Sequence, residues 1–363
     1  MQANNINTSQ LDTLNNQANP AEAVFTLISD LKPRTKDIII KRFGLDGNNK
    51  RTLEEIGKFH GITRERVRQI ESATMKDLKK NDKMELLENS VNLLEKILIE
   101  NGNISERENL ICKFNTSLAG NQTHGNMVEF ILILSDKFEQ FDETDNTCKA
   151  WGLKNYDLDI PQKVVEILME VLEHRKEPLM EADAIKSVLD HSRSRDVGVE
   201  DQRAVISYLK LSKKVLSNPY REWGLSSWSE ITPKGVKDKA YLVLKKNGRP
   251  LHFTDITKKI NEANFGGKKA ISQTVHNELI KDKRFVLVGR GMYALVEWGY
   301  SPGTVAEVIK NALINADAPL SKEELIDIVL KQRIVKRNTV VLALQNRDKF
   351  NKTPDKKYFI HKK

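Results

Sequence analysis

One closing pattern recurs four times in this chain, and it constrains the fold more than any other feature. Asp136-Lys137-Phe138 leads to Ala150-Trp151-Gly152-Leu153, and Lys213-Lys214-Val215 to Glu222-Trp223-Gly224-Leu225. Lys283-Arg284-Phe285 leads to Met292-Tyr293-Ala294-Leu295, and Asp348-Lys349-Phe350 to Lys357-Tyr358-Phe359-Ile360. The anchors at 138, 215, 285 and 350 are spaced by 77, 70 and 65 residues. Each copy opens with an apolar-periodic helix, breaks at Asn, Pro or Gly, and continues with two more helices before this ending. Three helices closed by a two-stranded hairpin predict a winged helix-turn-helix, with the hairpin as wing. A chain of 363 residues is too long for one core, and repetition at this period predicts tandem small domains. The copies fall at 84–156, 160–232, 236–299 and 301–363. Glu177-Pro178-Leu179-Met180, Arg249-Pro250-Leu251-His252 and Ala318-Pro319-Leu320-Ser321 mark the break in the last three. Gly102-Asn103-Ile104-Ser105 takes that place in the first, without the proline.

Ahead of the repeats lies a different motif. Thr52-Leu53-Glu54-Glu55-Ile56-Gly57 is followed, after Lys58 to Ile62, by Thr63-Arg64-Glu65-Arg66-Val67-Arg68-Gln69-Ile70-Glu71. Thr52 with Glu55 predicts a capping box. Gly61 suits the stop of a first helix, and Thr63 caps a second. Leu53 and Ile56, then Val67, Ile70, Thr74 and Leu78, form the inward faces. Arg64, Glu65, Arg68 and Gln69 face outward. Arginine donates to guanine, glutamine pairs with adenine and glutamate accepts from cytosine, so this face can read a major groove. Lys76, at the far end of the helix, can reach only phosphate.

The segment from about 21 to 83 resembles region four of bacterial housekeeping (sigma-seventy-type) sigma factors. Leu31-Lys32-Pro33-Arg34, Lys41-Arg42-Phe43-Gly44-Leu45-Asp46-Gly47, Thr52 to Gly57 and Thr63 to Glu71 carry the resemblance. It implies that the second helix enters the minus-35 promoter element, with Arg64, Glu65, Arg68 and Gln69 at the family's contacting positions. It also implies core RNA polymerase as a second partner. The aromatic-rich melting helix and polymerase-clamp helix of complete sigma factors have no counterpart in this sequence.

The third copy carries its own candidates. Val275 and Leu279, with Ile271 before them, recur at steps of four and are expected in the core. Ser272, Gln273, His276 and Asn277 are expected outside. Lys268 and Lys269 precede that helix, where lysines meet phosphate. Arg290 stands between Gly289 and Gly291 at the wing tip. It either enters a minor groove or is solvated in a turn whose two glycines supply positive φ. Residues 236–299 resemble the HARE-HTH winged helices of chromatin and restriction proteins and of the RNA polymerase delta subunit.

Charge divides the chain. The formal net charge is +9, with +7 over 31–80, +7 over 241–295 and +9 over 331–363, while 81–240 is acidic at −7. Basic stretches suit a polyanion such as double-stranded DNA, and the acidic stretch does not. No run of eighteen apolar residues predicts a membrane span. Residues 1–20, rich in Asn, Gln and Thr, read as a disordered tail. Cys112 and Cys148 form no CxxC, so both are expected as packing thiols in a reduced, cytoplasmic protein. The seven histidines lack ligand spacing, so no metal is expected. Gly266-Gly267-Lys268-Lys269 lacks the Walker spacing, so no nucleotide or other cofactor is expected. No nucleophile or acid constellation suggests an enzyme or a small-molecule substrate.

The sequence therefore predicts a mainly α chain: a sigma region-four-like helix-turn-helix followed by four winged-helix modules with small β-hairpin wings. The expected function is sequence-specific DNA binding at promoter-like sites. The alternative is an accessory subunit that docks on core polymerase and modulates initiation.

Overall fold

The computed structural model describes residues 19–118, 123–193, 197–300, 302–316, 318–346 and 348–360. The tail expected over 1–20 lies outside these, except for Asn19 and Pro20. Pro20 is the first residue of helix α1, and the Asn19 side chain accepts from the Ala21 amide. The fold is mostly helical, with small antiparallel sheets. The chain divides into two compact units at Leu216–Ser217.

The first unit begins with α1 (Pro20–Leu27), α2 (Pro33–Phe43), α3 (Leu53–His60) and α4 (Arg64–Leu78). The first repeat follows as α5 (Glu88–Glu100), β1 (Ile104–Glu106), α6 (Arg107–Ser117), α7 (Gly125–Leu134), β2 (Phe138–Phe141) and β3 (Ala150–Leu153). Its sheet runs β1-β3-β2 with both pairs antiparallel. The second repeat supplies α8 (Asp159–Arg175), β4 (Leu179–Met180), α9 (Glu181–Leu189), α10 (Gln202–Leu211) and β5 (Val215–Ser217).

In the second unit, β6 (Glu222–Leu225) precedes α11 (Val236–Asn247), β7 (Leu251–His252), α12 (Phe253–Ala263), α13 (Ser272–Lys281), β8 (Phe285–Gly289) and β9 (Met292–Leu295). The third repeat's sheet, β7-β9-β8, has the same order as the first. Then come α14 (Val305–Asn315), α15 (Lys322–Gln332), α16 (Arg337–Leu344), β10 (Asn351–Lys352) and β11 (Tyr358–Phe359). A single bridge, Leu320 to Tyr358, stands where β1 and β7 stand in the other copies.

The aligned anchors share one fate. Phe138, Val215, Phe285 and Phe350 are buried, as are Trp151, Trp223, Tyr293 and Tyr358. One alignment shifts. Glu106, Met180, His252 and Ser321 occupy the N-cap of each copy's second helix. The prolines lie two residues before the cap, so Ile104, and not Asn103, holds that place in the first copy. Without a proline to mark the break, the sequence pattern slipped by one residue.

The third helix of each copy has one of two environments. In α7 every residue from Met127 to Leu132 is buried, together with Leu134. A helix apolar all round belongs inside. One continuous core joins α1 and α2 to this helix, with Phe43 and Phe130 ring centroids 5.0 Å apart. The region-four-like segment and the first repeat thus share a core.

In the second repeat, α10 buries Ala204, Val205, Ser207, Tyr208, Leu209 and Leu211. Ser207 Oγ donates to the Ile104 carbonyl at 2.6 Å, and Tyr208 Oη donates to the Gly102 carbonyl at 3.0 Å. The Cys148 amide donates to the Leu211 carbonyl at 2.8 Å. The third helices of the first two copies are therefore consumed by docking on the chain before them. In α13 and α16 an outer face stays exposed: Gln273, Thr274 and Asn277 in one, Arg337, Asn338, Thr339 and Leu342 in the other.

Three expectations fail. Ile271 is 67% exposed, because it is the extended N-cap residue of α13 and not a helical one. His276 is packed: its ring stacks on Phe253 at 4.6 Å and meets the Tyr293 edge at 5.8 Å. Cys112 is exposed and does not pack, while Cys148 is half-buried.

Candidate nucleic-acid interface

The helix-turn-helix forms as its local chemistry dictates. Thr52 Oγ1 accepts from the Glu55 amide at 3.2 Å, and Glu55 Oε2 accepts from the Thr52 amide at 2.7 Å. This capping box satisfies two amides that a helix start leaves without partners. Gly61 closes α3 in the left-handed region at φ 64°. Gly57 is where the turn crosses its own helix, since a Cβ there would stand 2.7 Å from the Ile62 carbonyl oxygen. The Thr63 side chain then accepts from the Arg66 amide and starts α4. Ile38, Ile56 and Val67 form a small core beneath, flanked by Leu53, Ile62 and Ile70. Arg42 grips Glu71 at 3.1 Å and ties α2 to the back of α4.

Arg64, Glu65, Arg68 and Gln69 are all exposed on α4, and so is Lys76. In the free protein these groups satisfy one another. Arg68 donates to Glu65 through Nη2 at 2.6 Å and Nε at 2.9 Å. Those bonds hold the Glu65 carboxyl below the usual carboxylate range. Arg66 Nη1 donates to Gln69 Oε1 at 3.1 Å. The face is thus kept in order before any ligand arrives, and exposed pairs of this kind are cheap to exchange for other partners.

In the third repeat, Gln273 Nε2 donates to Asn277 Oδ1 at 3.1 Å, so these two share one exposed face. Lys268 and Lys269 are exposed in the loop before α13. The Asn261 side chain pins that loop by bonding both the amide and the carbonyl of Ala270. Arg290 is exposed at the hairpin tip. Of its two glycines only Gly291 has positive φ, at 69°. Gly289 serves close approach instead: a Cβ there would stand 2.7 Å from the Ile334 carbonyl oxygen. The Ile334 amide donates to the Val288 carbonyl at 2.7 Å, and Arg333 donates to the Leu287 carbonyl. The edge of β8 is thereby covered by the fourth repeat.

One residue essential to presenting α4 was not singled out in the sequence. Glu129, 1% exposed on α7, receives Arg107 Nε at 2.7 Å, Lys149 Nζ at 2.9 Å and the Lys50 ammonium. Burial pushes its carboxyl up, but the three cations outweigh that and hold it at about 2. Lys50 leads directly into the capped start of α3. Nearby, Asn126 Nδ2 donates to the Gly44 and Asn48 carbonyls, and the His124 ring bonds the Leu45 carbonyl at 3.0 Å. The clue was available: a lone carboxylate inside the apolar run Met127–Leu134 demands a partner.

Two family matches coincide with these elements. Residues 27–80 match the family described as Sigma-70, region 4, and residues 235–298 match the HARE-HTH family, described as an ASXL and restriction endonuclease HTH domain. The principal sigma factor HrdD of Streptomyces coelicolor is 52% identical over 60 residues, which is 16% of this chain and 18% of that protein. The chloroplastic sigma factor sigF of Arabidopsis thaliana is 47% identical over 58 residues, 16% of this chain and 11% of that protein. SigA of Clostridium acetobutylicum is 43% identical over 58 residues, 16% and 15%. This chain spans less than a fifth of the length of these relatives. It carries a sigma region 4 domain and a HARE-HTH domain, both of helix-turn-helix class. Among the described residues, no helix is long and apolar enough to cross a membrane.

Proposed function

We propose that this protein is a sequence-specific DNA-binding transcription factor that reads promoter-like DNA through α4. All four repeats are read as winged helices of unequal use. The first two, with third helices spent on docking and an acidic surface, form a non-enzymatic strut of residues 84–216 that binds no DNA. The third extends the contact through Gln273, Asn277, Lys268, Lys269 and Arg290. The observation that carries the reading is the exposed set Arg64, Glu65, Arg68 and Gln69 on a capped second helix of a region 4 domain. Selection of random duplexes on the full chain is expected to enrich one short motif. A pool that stays random after repeated rounds would end this reading.

A second reading, docking on core RNA polymerase, draws on the relatives, which are RNA polymerase sigma factors by name. Retention on core polymerase from nuclease-treated extract separates it from a pure DNA reader. In either case this chain as sole factor with core polymerase is expected to leave a promoter closed, since the sequence has no counterpart of the melting helix. Permanganate footprinting is expected to show no reactive thymines. Clear reactivity would make the protein a self-sufficient initiation factor.

A further inference from the structure

The hairpin, the last element of each repeat, differs in charge between copies. In the first copy it exposes Glu139, Asp142, Glu143 and Asp145, and such a surface repels a phosphate backbone. In the fourth copy it exposes Lys352, Lys356 and Lys357, with Lys349 just before it. The hairpin is firmly closed. The Thr353 amide donates to the Lys357 carbonyl at 2.8 Å, and the Lys356 amide to the Thr353 carbonyl at 3.0 Å. Lys356 stands at its tip in the left-handed region at φ 61°.

Lys352 lies over the Tyr358 ring at 4.9 Å, which directs its stem along the strand. Among the described residues no ion pair engages Lys352, Lys356 or Lys357. The third helix of the same copy, α16, keeps Asn338, Thr339 and Leu342 exposed, with Lys336 at its cap and Arg337 paired to Glu323. Rigid lysines at a hairpin tip, beside a groove-sized helix that nothing covers, fit a duplex and not an apolar partner.

We propose that the fourth repeat is a second duplex-DNA site, in which Lys352, Lys356 and Lys357 neutralise backbone phosphates without reading sequence. This extends the function proposed above and stands or falls separately from it. The test uses the full chain with Lys352, Lys356 and Lys357 all changed to Ala, titrated by fluorescence anisotropy on a labelled duplex over a range of salt.

Affinity is expected to fall about tenfold for every sequence alike, and the salt slope to shrink by about 2–3, as three phosphate contacts require. The triple Arg variant should bind as the parent does. Base preference and thermal melting should stay unchanged, since the lysines are exposed. An unchanged affinity and slope overturns the proposal, and so does a loss confined to single-stranded RNA. A parent chain that shows no sequence preference, yet loses affinity and slope in the triple variant, refutes the α4 reading and leaves this one standing.

Discussion

Replacing Glu129 with Ala is expected to destabilise the first unit by about 3–5 kcal/mol, the cost of leaving buried charges without their partner. The substitution strands Arg107, Lys149 and Lys50 around a site from which water is excluded. Its effect should depend on pH in a defined direction. The folded carboxyl titrates at about 2, against an ordinary value of 4.5. A depressed carboxylate contributes stability that is complete above the unfolded value and lost as pH falls through the folded one. Glu129 should therefore account for up to ~3 kcal/mol of stability lost between about pH 4.5 and pH 2. Urea unfolding followed by Trp151 fluorescence, in parent and variant over that range, isolates the contribution of this residue. Equal stability of the two at pH 7, or an undiminished difference at pH 2, would show that the cluster does not hold the first repeat to the helix-turn-helix.

The pieces legible in the sequence are those fixed by neighbours in the chain. Thr52 with Glu55, Gly61 and Thr63 act on amides within a few residues, so the helix-turn-helix could be drawn in detail. The hairpin anchors, from Phe138 to Tyr358, were legible because the same packing problem is solved four times. What escaped depends on distant partners. Ile271 follows the helical spacing but lies just before the helix, and periodicity does not mark where a helix begins. Gly289 reads as a turn residue, yet it makes room for Ile334, 45 positions away. His276 reads as an outward polar group until Phe253 and Tyr293 close over it. Glu129 fits no short motif, because Lys50 lies 79 positions before it. Net charge suggested that the middle repeats avoid DNA. Burial of α7 and α10 gives a stronger reason, since a helix packed on all sides has no face to lay in a groove.

The double change of Arg68 and Gln69 to Ala is expected to erase base preference while leaving the fold intact. Both side chains are exposed, and their bonds to Glu65 and Arg66 lie on the surface of one helix, where such pairs add little to stability. Each bidentate contact to a base edge distinguishes the right base from the wrong one by roughly ten- to a hundredfold. Losing both should flatten a selection on random duplexes.

Glu65 makes the outcome more specific. Freed from Arg68, its carboxylate remains on the groove-facing side as an acceptor without its donor. It should repel phosphate and penalise every site that offers no cytosine amino group. The variant is therefore expected to bind more weakly overall as well as less selectively. Changing Glu65 to Gln in the same background should recover part of the affinity and none of the selectivity. Lys76→Ala supplies the contrast: removing a phosphate-binding ammonium from the end of α4 weakens all sequences alike and lowers the salt slope by about 1. If the double variant kept the parent motif, α4 would be a phosphate-binding helix only. The side chains that choose the site would then have to lie elsewhere, with the exposed face of α13 first in line.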